Sequence, residues 1–160
     1  MSVNKKEVRV ILPDIRSSYN VGAIFRTSDA VGVSKIYLTG ITPRPFDKFK
    51  RINKEISKTA LGAEKSIPWG YCDDPLLLVD SLKKEGFCVV AVEQAQNSVD
   101  YKTVSLSEKT VIIFGSEVGG LPPSLLERCD IVAEIPMLGE KESLNISVSF
   151  GVALFRFLGI

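Results

Sequence analysis

The chain has no histidine. That absence removes Ser–His and Cys–His nucleophile pairs, the commonest neutral-pH general base, and the imidazole on which most transition-metal sites depend. Chemistry must therefore run on carboxylates, arginine, lysine, hydroxyls or a cofactor, and no metal site is expected. Cysteine is scarce: Cys72, Cys88 and Cys129 are scattered, odd in number and without a C-x-x-C pair. Neither a disulfide framework nor a zinc site is indicated, and the usage fits a reducing cytoplasm. Long apolar runs are missing as well. The N-terminal MSVNKKEVRV carries charge without the apolar stretch of a signal peptide, and no other run approaches the roughly 18 residues of a membrane span. A soluble, cytoplasmic protein with no membrane partner is expected. Repeats and low-complexity tracts are absent.

What is present suits one globular domain: 160 residues, 45% hydrophobic and 24% charged. The net charge of +1 hides a division. Residues 1–65 hold 13 Lys and Arg against 6 Asp and Glu, a net +7, whereas residues 66–160 hold 7 against 13, a net −6. Five short runs read as strands: Val8 to Leu12, Lys35 to Thr39, Phe87 to Val92, Val111 to Phe114 and Ile131 to Ile135. Several are apolar throughout, as in strands covered on both faces, so a mostly parallel α/β sheet flanked by helices is expected.

Between the strands lie helical patterns. Asn20 to Val31 carries an apolar stripe with Asn20 as N-cap and Gly32 at the stop, and Pro75 to Glu85 ends at Gly86. Phe49 to Leu61, ending at Gly62, and Pro123 to Cys129 read as two more helices. The last segment, Asn145 to Leu158, is apolar nearly all round, and such a helix is normally buried on every side. Either a second subunit covers it or it is a central core helix. The small size of the domain favours a homodimer through this helix.

Three constellations could carry chemistry. The first, Ser17 to Thr27, runs into a helix with Gly22 and Arg26 stacked four apart; a capped helix with a surface arginine would look the same. The second, Phe114 to Pro123, is a glycine-rich loop leaving a buried strand, where an open α/β sheet binds ligands; Glu117 is its only charge. It is neither G-x-G-x-x-G nor a Walker A loop. The third is Ile135-Pro136-Met137 followed by Ser143-Leu144-Asn145-Ile146-Ser147-Val148, in which Ser143 and Asn145 are explained as caps of the last helix.

Together these blocks resemble the SpoU (TrmH-like) family of the SPOUT superfamily of RNA methyltransferases. Its three motifs are matched in order by Asn20, Gly22, Arg26 and Thr27, then Phe114, Gly115, Glu117, Gly120 and Leu121, then Ile135, Pro136, Met137, Ser143, Leu144, Asn145, Ser147 and Val148. The resemblance implies an α/β sheet with a C-terminal deep trefoil knot, S-adenosylmethionine as cofactor, homodimers, and methyl transfer to a ribose 2′-hydroxyl of tRNA or rRNA. It places Arg26 at the catalytic position with Asn20, Glu117 and Asn145. Cofactor contacts would come from Val92, Gly115, Ile135, Met137, Ser143 and Leu144.

An arginine is a poor general base, because a guanidinium holds its proton throughout the physiological range. Arg26 is therefore expected to hold the adjacent phosphate and the hydroxyl, although its acting directly as base stays open. RNA is expected on the basic half, through Arg44, Lys48, Lys50, Arg51 and Lys54, interleaved with Phe46 and Phe49; a solvated helix face is the bland alternative. The chain reads as a single catalytic domain over residues 1–160 without an appended RNA-binding domain, so specificity would come from its own surface or a partner protein. A non-catalytic RNA-binding or assembly protein on the same scaffold is the rival.

Overall fold

The computed structural model describes residues 5–160; residues 1–4, the start of the N-terminal stretch considered above, lie outside the described residues. Seven strands occur among them: β1 (Glu7–Pro13), β2 (Lys35–Thr39), β3 (Trp69–Cys72), β4 (Cys88–Val92), β5 (Val99–Asp100), β6 (Lys109–Phe114) and β7 (Ile131–Glu134). They form one sheet in the order β3-β2-β1-β6-β4-β7-β5, with every pair parallel. The helices are α1 (Ser18–Val31), α2 (Lys54–Ala60), α3 (Ala63–Ser66), α4 (Pro75–Lys84), α5 (Pro123–Leu126) and α6 (Ile146–Leu158). None is long and apolar enough to cross a membrane.

The continuous apolar strands have a direct cause. Along β1 and β6, Val10, Leu12, Ile112 and Phe114 join a cluster with Ile24 and Phe25 of α1, Ile56 of α2 and Phe150 and Leu154 of α6. The alternate residues Ile11, Val111 and Ile113 join Val79 and Leu82 of α4 and Leu125 of α5. Successive side chains point to opposite faces, and both faces are covered, so the strand interiors are almost wholly apolar, with Thr39 and Thr110 as buried exceptions.

Several boundaries differ from the sequence-based expectation. Asn20 is not the cap of α1: Ser17 is, its side chain accepting from the Asn20 N–H at 3.2 Å, and Asn20 falls in the first turn. That frees the Asn20 side chain for long-range contact. The expected helix from Phe49 begins only at Lys54, where Asn53 caps it. Asp47 is the reason. It accepts from the N–H groups of Phe49 (2.8 Å) and Arg51 (2.9 Å) and from the Arg51 side chain, closing a turn in which Lys50 takes φ 61°. Residues 123–129 are helical only to Leu126, Ile135 lies just past β7, and Ser143 makes no cap; Asn145 alone caps α6. Helix α6 is buried at Ile146, Phe150, Ala153, Leu154 and Phe157 but leaves Val148, Val152 and Phe155 exposed.

Gly22 marks the crossing of α1 and α2. A Cβ there would run into the Thr59 hydroxyl and the Ile56 carbonyl, and Thr59 binds the Tyr19 carbonyl across the same contact at 2.8 Å. The space this glycine leaves is thus filled by α2. Because all strands are parallel, the loops after β1, β2, β4, β6 and β7 open on one edge of the sheet, where ligands of such folds bind.

Candidate active site

Beyond the ends of β4, β6 and β7 lies a cleft. Val92, Gly115, Ile135, Met137, Ser143 and Leu144, the six residues expected to hold a cofactor, all line it, together with Glu93, Gln94, Glu117 and Ser149. The backbone groups of Ile135, Met137 and Leu144 make no hydrogen bond within the protein among the described residues. Unpaired N–H and C=O groups set among apolar side chains can read the edge of a heterocycle and its ribose, as the chemistry of an adenosine cofactor requires.

At the mouth of the cleft three distant segments are tied by side chains. Asn145 donates to Asn20 Oδ1 at 3.4 Å, and Asn20 Nδ2 donates to Glu117 Oε1 at 2.8 Å. The Asn145 Oδ1 accepts from Ser147 N–H and Oγ, so one residue both caps α6 and joins the network. Asn20, Glu117 and Asn145 are thereby brought together. Arg26 is not among them. It sits on the exposed flank of α1 in a shallow pocket with Lys58, Thr59 and Phe155, and makes no hydrogen bond or ion pair among the described residues.

The residue missed by sequence reasoning is Glu93. Its Oε2 accepts the Leu121 N–H and its Oε1 the Gln94 N–H, both at 2.9 Å, so the carboxylate clasps the glycine-rich loop to the end of β4. Gly115 and Gly120 leave the room it occupies, and Gly120 adopts φ 61°. A single acidic residue directly after a buried apolar strand was the available signal.

The basic residues lie on the same edge. Arg44, Lys48 and Arg51 line a second depression after β2, with Lys50 in the adjoining turn and Lys54 opening α2. The Arg44 guanidinium stacks 3.5 Å over Tyr71, and the Arg51–Asp47 pair holds the Asp47 carboxyl below its usual range, chiefly through the Arg51 N–H. The cysteines are elsewhere. Burial pushes the Cys129 thiol up to about 11, so at neutral pH it is a packed neutral thiol.

The fold and site define a parallel α/β protein with a cleft at the strand C-termini and a basic surface beside it. The model of the SpoU rRNA Methylase family matches residues 7–155, and the chain belongs to that family. It is 32% identical over 152 residues to the tRNA (guanosine(18)-2′-O)-methyltransferase of Aquifex aeolicus, covering 95% of this chain and 69% of that protein. It is 33% identical over 147 residues to a 23S rRNA (guanosine-2′-O-)-methyltransferase of Pseudomonas aeruginosa, covering 92% of this chain and 56% of that one. The chain thus spans little more than half of the ribosomal relative. Among solved structures, the AdoMet-bound rRNA methyltransferase of Sinorhizobium meliloti superposes with a TM-score of 0.86 at 33% identity, over 95% of this chain and 56% of that one.

Proposed function

We propose that this chain is an S-adenosylmethionine-dependent RNA methyltransferase acting on a ribose 2′-hydroxyl of tRNA or rRNA. The observation that carries the reading is the cleft lined by the second and third family motifs, to which the first is tied through the hydrogen bonds of Asn20 with Asn145 and Glu117. The names of the tRNA and rRNA relatives support the substrate class. The rival, a non-catalytic RNA binder, would need neither the unpaired backbone groups of the cleft nor the network beside it.

When bound, the cofactor supplies a methyl group activated on a sulfonium. The acceptor hydroxyl is a weak nucleophile, so the protein's task is alignment and assistance to proton loss. The apolar wall of Ile135, Met137 and Leu144 would hold the adenosine end. Glu117 and Asn145, through Asn20, would keep the loop and the start of α6 in register around it.

A homodimer through α6 completes this reading. Leu144, Val148, Val152 and Phe155 form an exposed apolar stripe from the cleft to the pocket of Arg26. Its helical part alone, Ile146 to Phe155, rises about 14 Å, farther than an arginine reaches. A partner seated on the stripe would meet both the cleft and Arg26. Sedimentation at micromolar concentration is expected to give a dimer; a monomer would remove this assignment. The C-terminal trefoil knot of the family is part of the proposal, supported by β6 entering between β1 and β4 before β7 pairs outside β4. We also infer one catalytic domain over residues 1–160, cytoplasmic, with specificity from its own surface or a partner.

The activity test is mass spectrometry of nucleosides from total RNA with and without the gene. One 2′-O-methylated nucleoside is expected to fall in the deletion and return on complementation. An unchanged nucleoside profile, with no transfer by the purified protein, would favour the non-catalytic rival.

A further inference from the structure

The depression after β2 has two unusual walls. Ile41 and Ile52 line it while remaining 64% and 53% exposed, together with Pro43, the cations Arg44, Lys48 and Arg51, and the carboxylate of Asp47. Exposed isoleucines are ordinary when scattered singly. Here two share one cavity with three cations and a single carboxylate, Asp47, which is paired to Arg51. The cavity is also preformed: Asp47 ties its rim through Phe49, Arg51 and the Arg51 guanidinium, and the Arg44 guanidinium rests over the Tyr71 ring.

We propose that this cavity takes one unpaired nucleotide of the RNA, its base between Ile41 and Ile52 and its phosphates on Lys48 and Arg51. The proposal rests on the methyltransferase reading and adds a subsite to it. Position supports it, since β2 is separated from β6, which leads into the cleft, by β1 alone. Two strand spacings are about 10 Å, a distance that one or two nucleotides of single strand can bridge. A paired base has no free face to place between two side chains, so this subsite demands a loop, bulge or end.

The same walls set its selectivity. Thr42 already accepts from the Ile15 N–H and donates to the Leu12 carbonyl, Asn53 caps α2 and binds Ser18, and Asp47 is spent on its own turn. These polar side chains are committed within the protein. The cavity therefore reads that a base is unpaired without reading which base it is.

Fluorescence anisotropy with short oligouridylate, oligoadenylate and a duplex of matched length tests this on the purified protein. The wild type is expected to prefer both single strands over the duplex. Ile41→Ser and Ile52→Ser, both at exposed positions, should each weaken single-strand binding about tenfold at every salt concentration. Lys48→Ala should instead reduce the slope of log affinity against log salt by about 0.7. Equal binding of duplex and single strand, or isoleucine variants that bind like wild type, would overturn the subsite while leaving the methyltransferase reading standing. Wild-type protein that binds no RNA would overturn both. Unchanged circular dichroism of the variants shows that loss of binding is not loss of fold.

Discussion

Replacement of Arg26 by alanine is expected to lower methyl transfer by roughly 10²- to 10³-fold while leaving S-adenosylmethionine affinity at the wild-type level. The side chain is exposed and makes no hydrogen bond or ion pair among the described residues, so its removal orphans nothing within the protein. It lies outside the cleft lined by Val92, Gly115 and Met137, so donor binding should not register its loss. A guanidinium cannot usefully accept a proton at neutral pH, but its planar fork suits an RNA phosphate beside the acceptor hydroxyl. Arg26→Lys should recover only part of the rate, since a point charge replaces the fork. Transfer of labelled methyl groups to RNA and calorimetric titration of the cofactor separate the two effects. Wild-type turnover by Arg26→Ala would sink the assignment, and a lost cofactor affinity would move Arg26 to the donor side.

The second large effect is expected at Gly115. A Cβ there would lie 2.6 Å from Glu93 Oε2 and 3.1 Å from the Gly120 Cα. Neither neighbour can yield cheaply. The carboxylate is held by two backbone N–H groups, and the glycine is backbone in a left-handed turn. Gly115→Ala must push the loop outward, carrying Glu117 from Asn20 and opening the wall of the cleft. A loss of at least about tenfold in cofactor affinity is expected, with a fall of only a few degrees in Tm, because no residue between Phe114 and Leu121 joins either hydrophobic cluster. Gly70→Ala serves as control: its Cβ would meet only the Lys35 Cε, at 3.7 Å. Cofactor titrations that match for Gly115→Ala and wild type would show that the loop has slack the packing does not reveal.

These two residues illustrate what could be read from the chain. Gly115 and its motif are legible because the loop needs particular residue types in sequence order. Glu93 was not, because its partners Gly120 and Leu121 lie 27 and 28 residues away, beyond any local pattern. The edge strand β3 and the two-residue β5 escaped for a simpler reason: too few residues, only partly buried, carry no periodicity. The helix expected from Phe49 was lost to Asp47, whose three hydrogen bonds favour a turn over a helical start that propensity alone would allow.

By itself the sequence determined the parallel α/β class, the apolar last helix, the basic stretch over residues 1–65 and the three motifs, since each is written in local periodicity, composition or spacing. Only the tertiary structure decided which face of α6 stays exposed, that Asn20 serves Glu117 and Asn145 rather than its own helix, and that Arg26 stands apart from the cleft. The physical reason is distance along the chain. Asn20 meets Glu117 across 97 residues and Asn145 across 125, and such pairings are set by the order β3-β2-β1-β6-β4-β7-β5, which no local preference encodes. Zero histidine, the absence that limited the available chemistry, is consistent with a cleft whose polar lining is backbone groups, hydroxyls, carboxamides and carboxylates.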